Sequence, residues 1–223
     1  MNTKNILRLQ VISIIGILLV TINACTEKHP LPVDNTPSVK ICDQTWMLKN
    51  LDVDKYRNGD PIPHVTDNTQ WTNLTTGAWC YLFNDTANGV IYGKMYNWYA
   101  VNDPRGLAPK GWHIPTSNEY STLENCLGGA AVAGDKLRET GTVHWSDNPG
   151  ATNSSGFTAL PGSNRFGFNG AFSLGNFNLG NWWTSTQYDN SYSWYHSLYG
   201  TVSNSSIFRS EKAYGFSVRC IKD

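Results

Sequence analysis

The side chains able to do chemistry are few and scattered. The five histidines (His29, His64, His113, His144, His196) show no His-x-x-x-His spacing, so no helix face offers a ready pair of metal ligands. Glutamate is sparse: Glu27, Glu119, Glu124, Glu139 and Glu211. There is no Gly-x-Ser-x-Gly elbow, phosphate loop, Gly-x-Gly-x-x-Gly stretch or Cys-x-x-Cys. Serine-hydrolase, nucleotide-binding, zinc-knuckle and thioredoxin chemistry therefore lack a motif. A lone histidine is more often structural than a ligand, and His113 inside Gly-Trp-His-Ile-Pro-Thr is expected to orient a turn. A glycosidase needs only two carboxylates at a separation set in three dimensions, so spacing does not exclude one. Recognition chemistry concentrates between Asn181-Trp182-Trp183-Thr184 and Tyr188-Asp189-Asn190. Aromatic faces stack on sugar rings, and Asn and Asp side chains bond hydroxyls or hold calcium. Asn181, Trp182, Trp183, Tyr188, Asp189 and Asn190 are thus candidate ligand residues. The competing reading places at least one of the two tryptophans in the core. No metal site and no cofactor are expected, and calcium has no supporting motif.

Cysteine chemistry divides in two. Cys25 follows a leader with Lys4 and Arg8 and a ten-residue apolar run, Val11–Val20. That run is too short for a membrane span of about 20 residues but suits a signal peptide. Thr21-Ile22-Asn23-Ala24-Cys25 resembles a bacterial lipobox. The resemblance implies cleavage before Cys25, lipidation of its thiol and anchoring of an exported chain at the outer membrane or cell surface. An ordinary signal peptide cut near Ala24 is the alternative. Cys42, Cys80, Cys126 and Cys220 remain, an even number that reads in an exported chain as two disulfides with three pairings to choose from, or as four buried thiols. Asp85-Thr86-Ala87 resembles the short Asp-Ser/Thr-aliphatic pattern of exported Bacteroidetes proteins that carry O-glycans, making Thr86 a candidate, with a plain turn before Asn88-Gly89 as the alternative.

Composition narrows the partners. The 223 residues carry 17 Lys+Arg against 17 Asp+Glu, and only 15% are charged, which argues against a coiled coil, a charged tail or a nucleic-acid arm. Loss of residues 1–24 removes Lys4 and Arg8 and leaves 15 positive against 17 negative charges. Such a surface has no electrostatic reason to seek nucleic acid or anionic lipid.

The elements that must position these groups follow from pattern. Residues 25–38 form a Pro-rich tether, and the folded domain should occupy 39–223. Thr116 and Glu119 make a capping box ahead of Tyr120, Leu123 and Leu127, and Gly128-Gly129 ends that helix. Met95–Tyr99 suits a second short helix and 130–139 a third. Thr45–Leu51, Ala78–Phe83, Ser193–Tyr199 and Tyr214–Ile221 read as strands, and 156–180 as a long Gly/Asn/Phe loop. The expected class is α+β, with small antiparallel sheets, two or three short helices and long loops.

Several segments, in order, resemble one family, the Fibrobacter succinogenes major paralogous domain. They are Gln44-Thr-Trp-Met47 with Asn50-Leu51, Tyr92-Gly93, Tyr96–Val101, Leu107–Thr116, Gly156–Gly162, Arg165, Trp182–Thr186 and Gly215-Phe-Ser-Val-Arg-Cys220. They cover essentially all of 39–223. The resemblance implies an exported, often lipid-anchored protein with a C-type lectin-like fold, a fold shared with formylglycine-generating enzymes. It carries no biochemical activity of its own. Cys80 and Cys220 stand where the family often has Cys, which implies a Cys80–Cys220 bridge. Cys42 and Cys126 depart from the family together, which pairs them with each other. The formylglycine enzymes need a reactive cysteine pair upstream of the closing segment. Ser205–Lys212 has none, so no enzyme of that type is expected. Calcium-type lectins use Glu-Pro-Asn or Gln-Pro-Asp, and neither occurs here. Lectin-like folds bind through long loops on a rigid core. The reading is a lipid-anchored binding domain for glycan or a cell-surface protein, with a cryptic glycan hydrolase or a structural envelope or fimbria-associated subunit as alternatives.

Overall fold

A computed structural model of the chain describes residues 35–173 and 177–223. The leader, Cys25 and most of the tether lie outside them. The chain enters through a tight hairpin, β1 (Ser38–Ile41) and β2 (Gln44–Met47), with Ile41 opposite Gln44. Cys42, at the turn, has φ 51°, a left-handed conformation unusual for a residue with a side chain. Helix α1 (Asn68–Thr72) follows, then β3 (Trp79–Cys80), a 3₁₀ turn (Leu82–Asn84), α2 (Thr86–Tyr92), β4 (Met95–Tyr96) and α3 (Trp98–Val101). Next come β5 (Trp112–His113), α4 (Ser117–Cys126) and α5 (Ala130–Leu137). After a long irregular stretch, β6 (Leu179–Gln187), β7 (Tyr192–Tyr199) and β8 (Ser205–Glu211) form an antiparallel meander, and β9 (Ile221–Lys222) ends the chain. The sheets are β1-β2-β9-β5, β3-β4 and β6-β7-β8. Among the described residues no helix is long and apolar enough to cross a membrane.

The class is α+β with small antiparallel sheets and short helices. The capping box forms as its residues dictate: Thr116 Oγ1 accepts from the Glu119 amide and Glu119 Oε2 accepts from the Thr116 amide. Two further helices, α1 and α2, are started by Asp67 and Asp85, whose carboxylates accept from Gln70 N and Ala87 N. Thr86 is therefore the first residue of a helix, exposed, and not part of a plain turn. Met95-Tyr96 pairs with β3 as a strand, and the helix expected there starts only after Asn97, whose side chain caps α3.

Tyr214–Ile221 is not one strand. It threads between the sheets and bonds a different partner at nearly every residue: Gly215 with Arg165, Phe216 with Tyr96, Ser217 with Asn181 and Trp183, Val218 with Leu51, Cys220 with Met47. A chain so irregular must satisfy its backbone carbonyls without long ladders. Buried side-chain donors do this. The indole N–H groups of Trp71, Trp79, Trp98, Trp145 and Trp183 donate to Ala213, Ile62, Thr184, Ala159 and Tyr96 carbonyls at 2.9–3.0 Å. Arg165, fully buried, donates to the carbonyls of Gly170, Val65 and Thr66 and to Asn68 Oδ1.

Cys42 and Cys126 form a disulfide with Cα atoms 6.6 Å apart, tying the β1–β2 turn to the end of α4. The expected Cys80–Cys220 bridge is corrected: both are free, buried thiols. Cys80 packs with Trp71, Leu82 and Met95 and meets the buried Arg165 guanidinium, whereas Cys220 packs in a separate cluster with Trp112, Ile114 and Val218, so neither thiol meets the other. Burial pushes their pKa values up to about 11 and about 12.

Candidate functional site

The tryptophan pair goes to the core. Trp182 and Trp183 are both 0% exposed, and their indoles donate to Asn50 Oδ1 and the Tyr96 carbonyl. Neither ring offers a face to a ligand. Asn181 is also buried, its Oδ1 accepting from Ser197 Oγ at 2.8 Å. The two rings enter different core clusters on the two sides of β6. Tyr188, Asp189 and Asn190 instead form the exposed turn between β6 and β7. Asp189 Oδ1 accepts from the Ser191 and Tyr192 amides, both 2.8 Å, and those bonds hold its carboxyl below the usual range. The Tyr188 ring packs edge-on to Trp194, with the Arg209 guanidinium 4.5 Å above it.

This turn borders a cleft of about 330 Å³. Its walls come from elements distant in sequence: Thr75–Gly77 before β3, Trp98 and Tyr99 of α3, the Asn102–Arg105 turn, Gln187 at the end of β6 and Lys212 just after β8. Rigid contacts set its shape. Trp98 N donates to the Lys212 carbonyl and Trp98 Nε1 to the Thr184 carbonyl, which locks α3 onto the meander. Asn97 Nδ2 donates to the Thr76 carbonyl, fixing the opposite rim. Arg105 donates to both carboxylate oxygens of Asp103 (2.8 and 2.9 Å) and to Asp60 Oδ2 (3.2 Å), and stacks on Tyr56. The bonds from Arg105 hold the Asp103 carboxyl below its ordinary value. Lys212 is only 7% exposed. Its Nζ donates to the Asn190 carbonyl at 2.9 Å and lies 4.8 Å from the Trp98 ring centre.

The lining offers hydroxyls, amides, a half-buried tyrosine and charged donors, but no Ser-His or Cys-His pair. Of the lining, only Trp98 and Tyr99, in the Tyr96–Val101 segment, stood out in the sequence; the Tyr188–Asn190 turn lies beside the lining and not in it. Thr75, Asn102, Asp103, Arg105 and Lys212 sit in three separate stretches that carry no motif.

Two other constellations resemble catalytic groups. His113 is held between Glu119 Oε1 and Asp223 Oδ1, each 2.8 Å away, beside a hollow of about 290 Å³ lined by Asp43, Glu119 and Asp223. Burial disfavours the charged ring, but the bonds to Glu119 and Asp223 outweigh it and raise the His113 pKa. Burial acts to raise Glu119, and the Thr116 and His113 bonds outweigh that and lower it. Glu119 is thus fixed as an ionised cap, unsuited to act as a general acid. The histidine ties β5, α4 and the C-terminus together rather than orienting a turn. Secondly, Ser205, Glu124 and His196 meet in the core, but Ser205 Oγ donates to Glu124 Oε1 at 2.5 Å, not to the imidazole, which stacks on Tyr120. The hydroxyl is therefore bonded to a carboxylate and not to an imidazole, with His196 Nε2 3.3 Å from the same Glu124 oxygen, and all three groups are buried. Among the described residues no group of three or more His, Cys, Asp or Glu side chains is placed to hold a metal ion.

Together the fold and cleft define an irregular α+β domain with a preformed polar groove on rigid elements. The chain belongs to the family described as the Fibrobacter succinogenes major domain, whose profile matches residues 39–222. No curated protein and no solved structure matches it significantly.

Proposed function

We propose that this is a lectin-like binding domain that takes a glycan in the Tyr99–Gln187–Lys212 cleft without chemically altering it, carried on an exported chain lipid-anchored through Cys25. The observation that supports this most is the lining itself. Thr75, Thr76, Asn102 and Gln187 present hydroxyl and amide groups around the half-buried Tyr99 ring, the combination that reads sugar hydroxyls and the apolar face of a pyranose. The only carboxylate in the lining, Asp103, is engaged twice by Arg105 and held ionised. Glycoside hydrolysis by the usual route needs two carboxyl groups, one of them protonated. A glycan array with the soluble 39–223 domain tests the reading. Wild type should bind a defined subset of glycans, and Tyr99→Ala and Gln187→Ala should each weaken binding at least about tenfold while leaving the fold intact. Unchanged binding by both variants, or a glycan that is shortened during incubation, would overturn it.

A further inference from the structure

Lys212 is the feature of this cleft that a neutral sugar does not explain. Its side chain is buried, with 7% exposure, yet no carboxylate among the described residues lies within ion-pair distance of its Nζ. The acids nearest in the fold are otherwise engaged. Asp189, on the turn that Lys212 grips, has its Oδ1 on the Ser191 and Tyr192 amides and attracts the Lys212 charge only from beyond ion-pair distance. Asp103 and Asp60 are both bonded to Arg105. Glu211, the residue before Lys212, is exposed, on a strand where neighbouring side chains point to opposite faces.

The ammonium has three donor hydrogens and one hydrogen-bond acceptor, the Asn190 carbonyl, plus the Trp98 ring face. A cation removed from water without a counter-charge is costly unless something compensates it. The buried lysine Lys94 shows the usual solution in this same domain: its Nζ reaches Asp52 Oδ1, the Asp52 carbonyl and the Tyr81 hydroxyl. Lys212 has no such set, and it lines the cleft. Of the charged groups in the lining, Asp103 and Arg105 cancel and Lys212 is left over.

Granting that the cleft is a glycan site, we infer that its ligand is an acidic saccharide whose carboxylate, of uronate or sialate type, pairs with Lys212 Nζ. The sugar ring lies toward Tyr99 while its hydroxyls meet Gln187, Asn102 and the Thr75–Thr76 rim. The carboxylate supplies the direct ion-pair partner the fold leaves out, Asp189 acting only from a distance, and a charge-assisted bond to a buried ammonium is strong.

The test uses an array in which uronate- and sialate-terminated oligosaccharides stand beside their own methyl esters, which keep the skeleton and remove the charge. Wild type should bind the acids about tenfold to a hundredfold more tightly than the esters. Lys212→Met, which keeps the stem over Trp98, should bind acid and ester alike. Because that variant can fail to fold, the acid-to-ester ratio on wild type stands as a measurement by itself. Equal binding of acids and esters by wild type overturns the assignment to Lys212 but leaves the glycan reading standing. So does a folded Lys212→Met that keeps the preference for acids. Absence of binding to every acid and every ester overturns both.

Discussion

Replacing Cys42 and Cys126 by serine should cost this domain a large part of its stability, and the cause lies in the unfolded chain. The bridge joins residues 84 apart. A loop of that length closes at an entropic cost of about 4.5 kcal/mol at 25 °C in the chain-entropy treatment. Both cysteines are exposed, so serine leaves neither a buried cavity nor an unpaired buried polar atom to add to that figure. For a domain of this size, about 2–4 °C of Tm per kcal/mol translates the loss into about 9–18 °C. Differential scanning calorimetry of wild type and the Cys42→Ser/Cys126→Ser variant, both without reductant, measures it. A third protein, Cys42→Gly/Cys126→Ser, separates local strain from loop entropy. Cys42 sits at φ 51°, where glycine is at ease, so this variant should recover up to about 1 kcal/mol over the serine version. A Tm loss below about 3 °C in the double serine variant would refute the loop-entropy argument.

Three further outcomes follow from named contacts. His113, with its pKa raised, stabilises the fold below its unfolded value near about 6.5, and that contribution is lost as pH rises through the folded value. Glu119, with its pKa lowered, contributes above its unfolded value near about 4.3 and is lost as pH falls through the folded one. Solvent reaches His113 and Asp223, so the cluster is worth about 0.5–1 kcal/mol. Urea unfolding should show wild type exceeding His113→Gln by more at pH 5.5 than at pH 8.5, and equal differences at both would contradict the bridge. In a Cys25→Ser variant, Cys80 and Cys220 should be inert to a thiol reagent while folded, and two thiols should react after denaturation without reductant; none reacting would restore a Cys80–Cys220 disulfide. Arg165→Met should lose at least about 3 kcal/mol in urea, because it strips partners from three backbone carbonyls, and a loss under about 1 kcal/mol would refute their role.

What was legible in the sequence was local. The Thr116–Glu119 box announces α4 because both partners of its hydrogen bonds lie three residues apart. The hairpin-rich C-terminal half is visible in the alternation of Ser193–Tyr199. Asp67 and Asp85 could have announced α1 and α2, but each helix is short, has few apolar positions and carries no glutamate box. The fate of Trp182 and Trp183 was half legible: the core was open to at least one of them, and the structure buries both. A strand with both faces covered shows no alternation to tell core from surface. Cys80 and Cys220 misled for a related reason: a family position for cysteine does not say that its partner is near, and here the two sit in separate core clusters. The cleft itself is a product of topology. Lys212 is an ordinary lysine in the sequence, and only the locking of α3 against the end of β8 buries it without an acid.

The claim that the Tyr99–Gln187–Lys212 cleft is where this domain holds its ligand is tested most directly by a hydrogen-exchange footprint. The measurement compares backbone amide exchange of the domain alone and saturated with the acidic oligosaccharide that binds it most tightly on the array. The account predicts slowed exchange in the peptides covering residues 75–77, 98–105 and 187–191, with the start of β2 at Gln44–Thr45 and the β5 segment around His113 unchanged. Protection confined to that second hollow, or no saccharide that protects any amide, would contradict it.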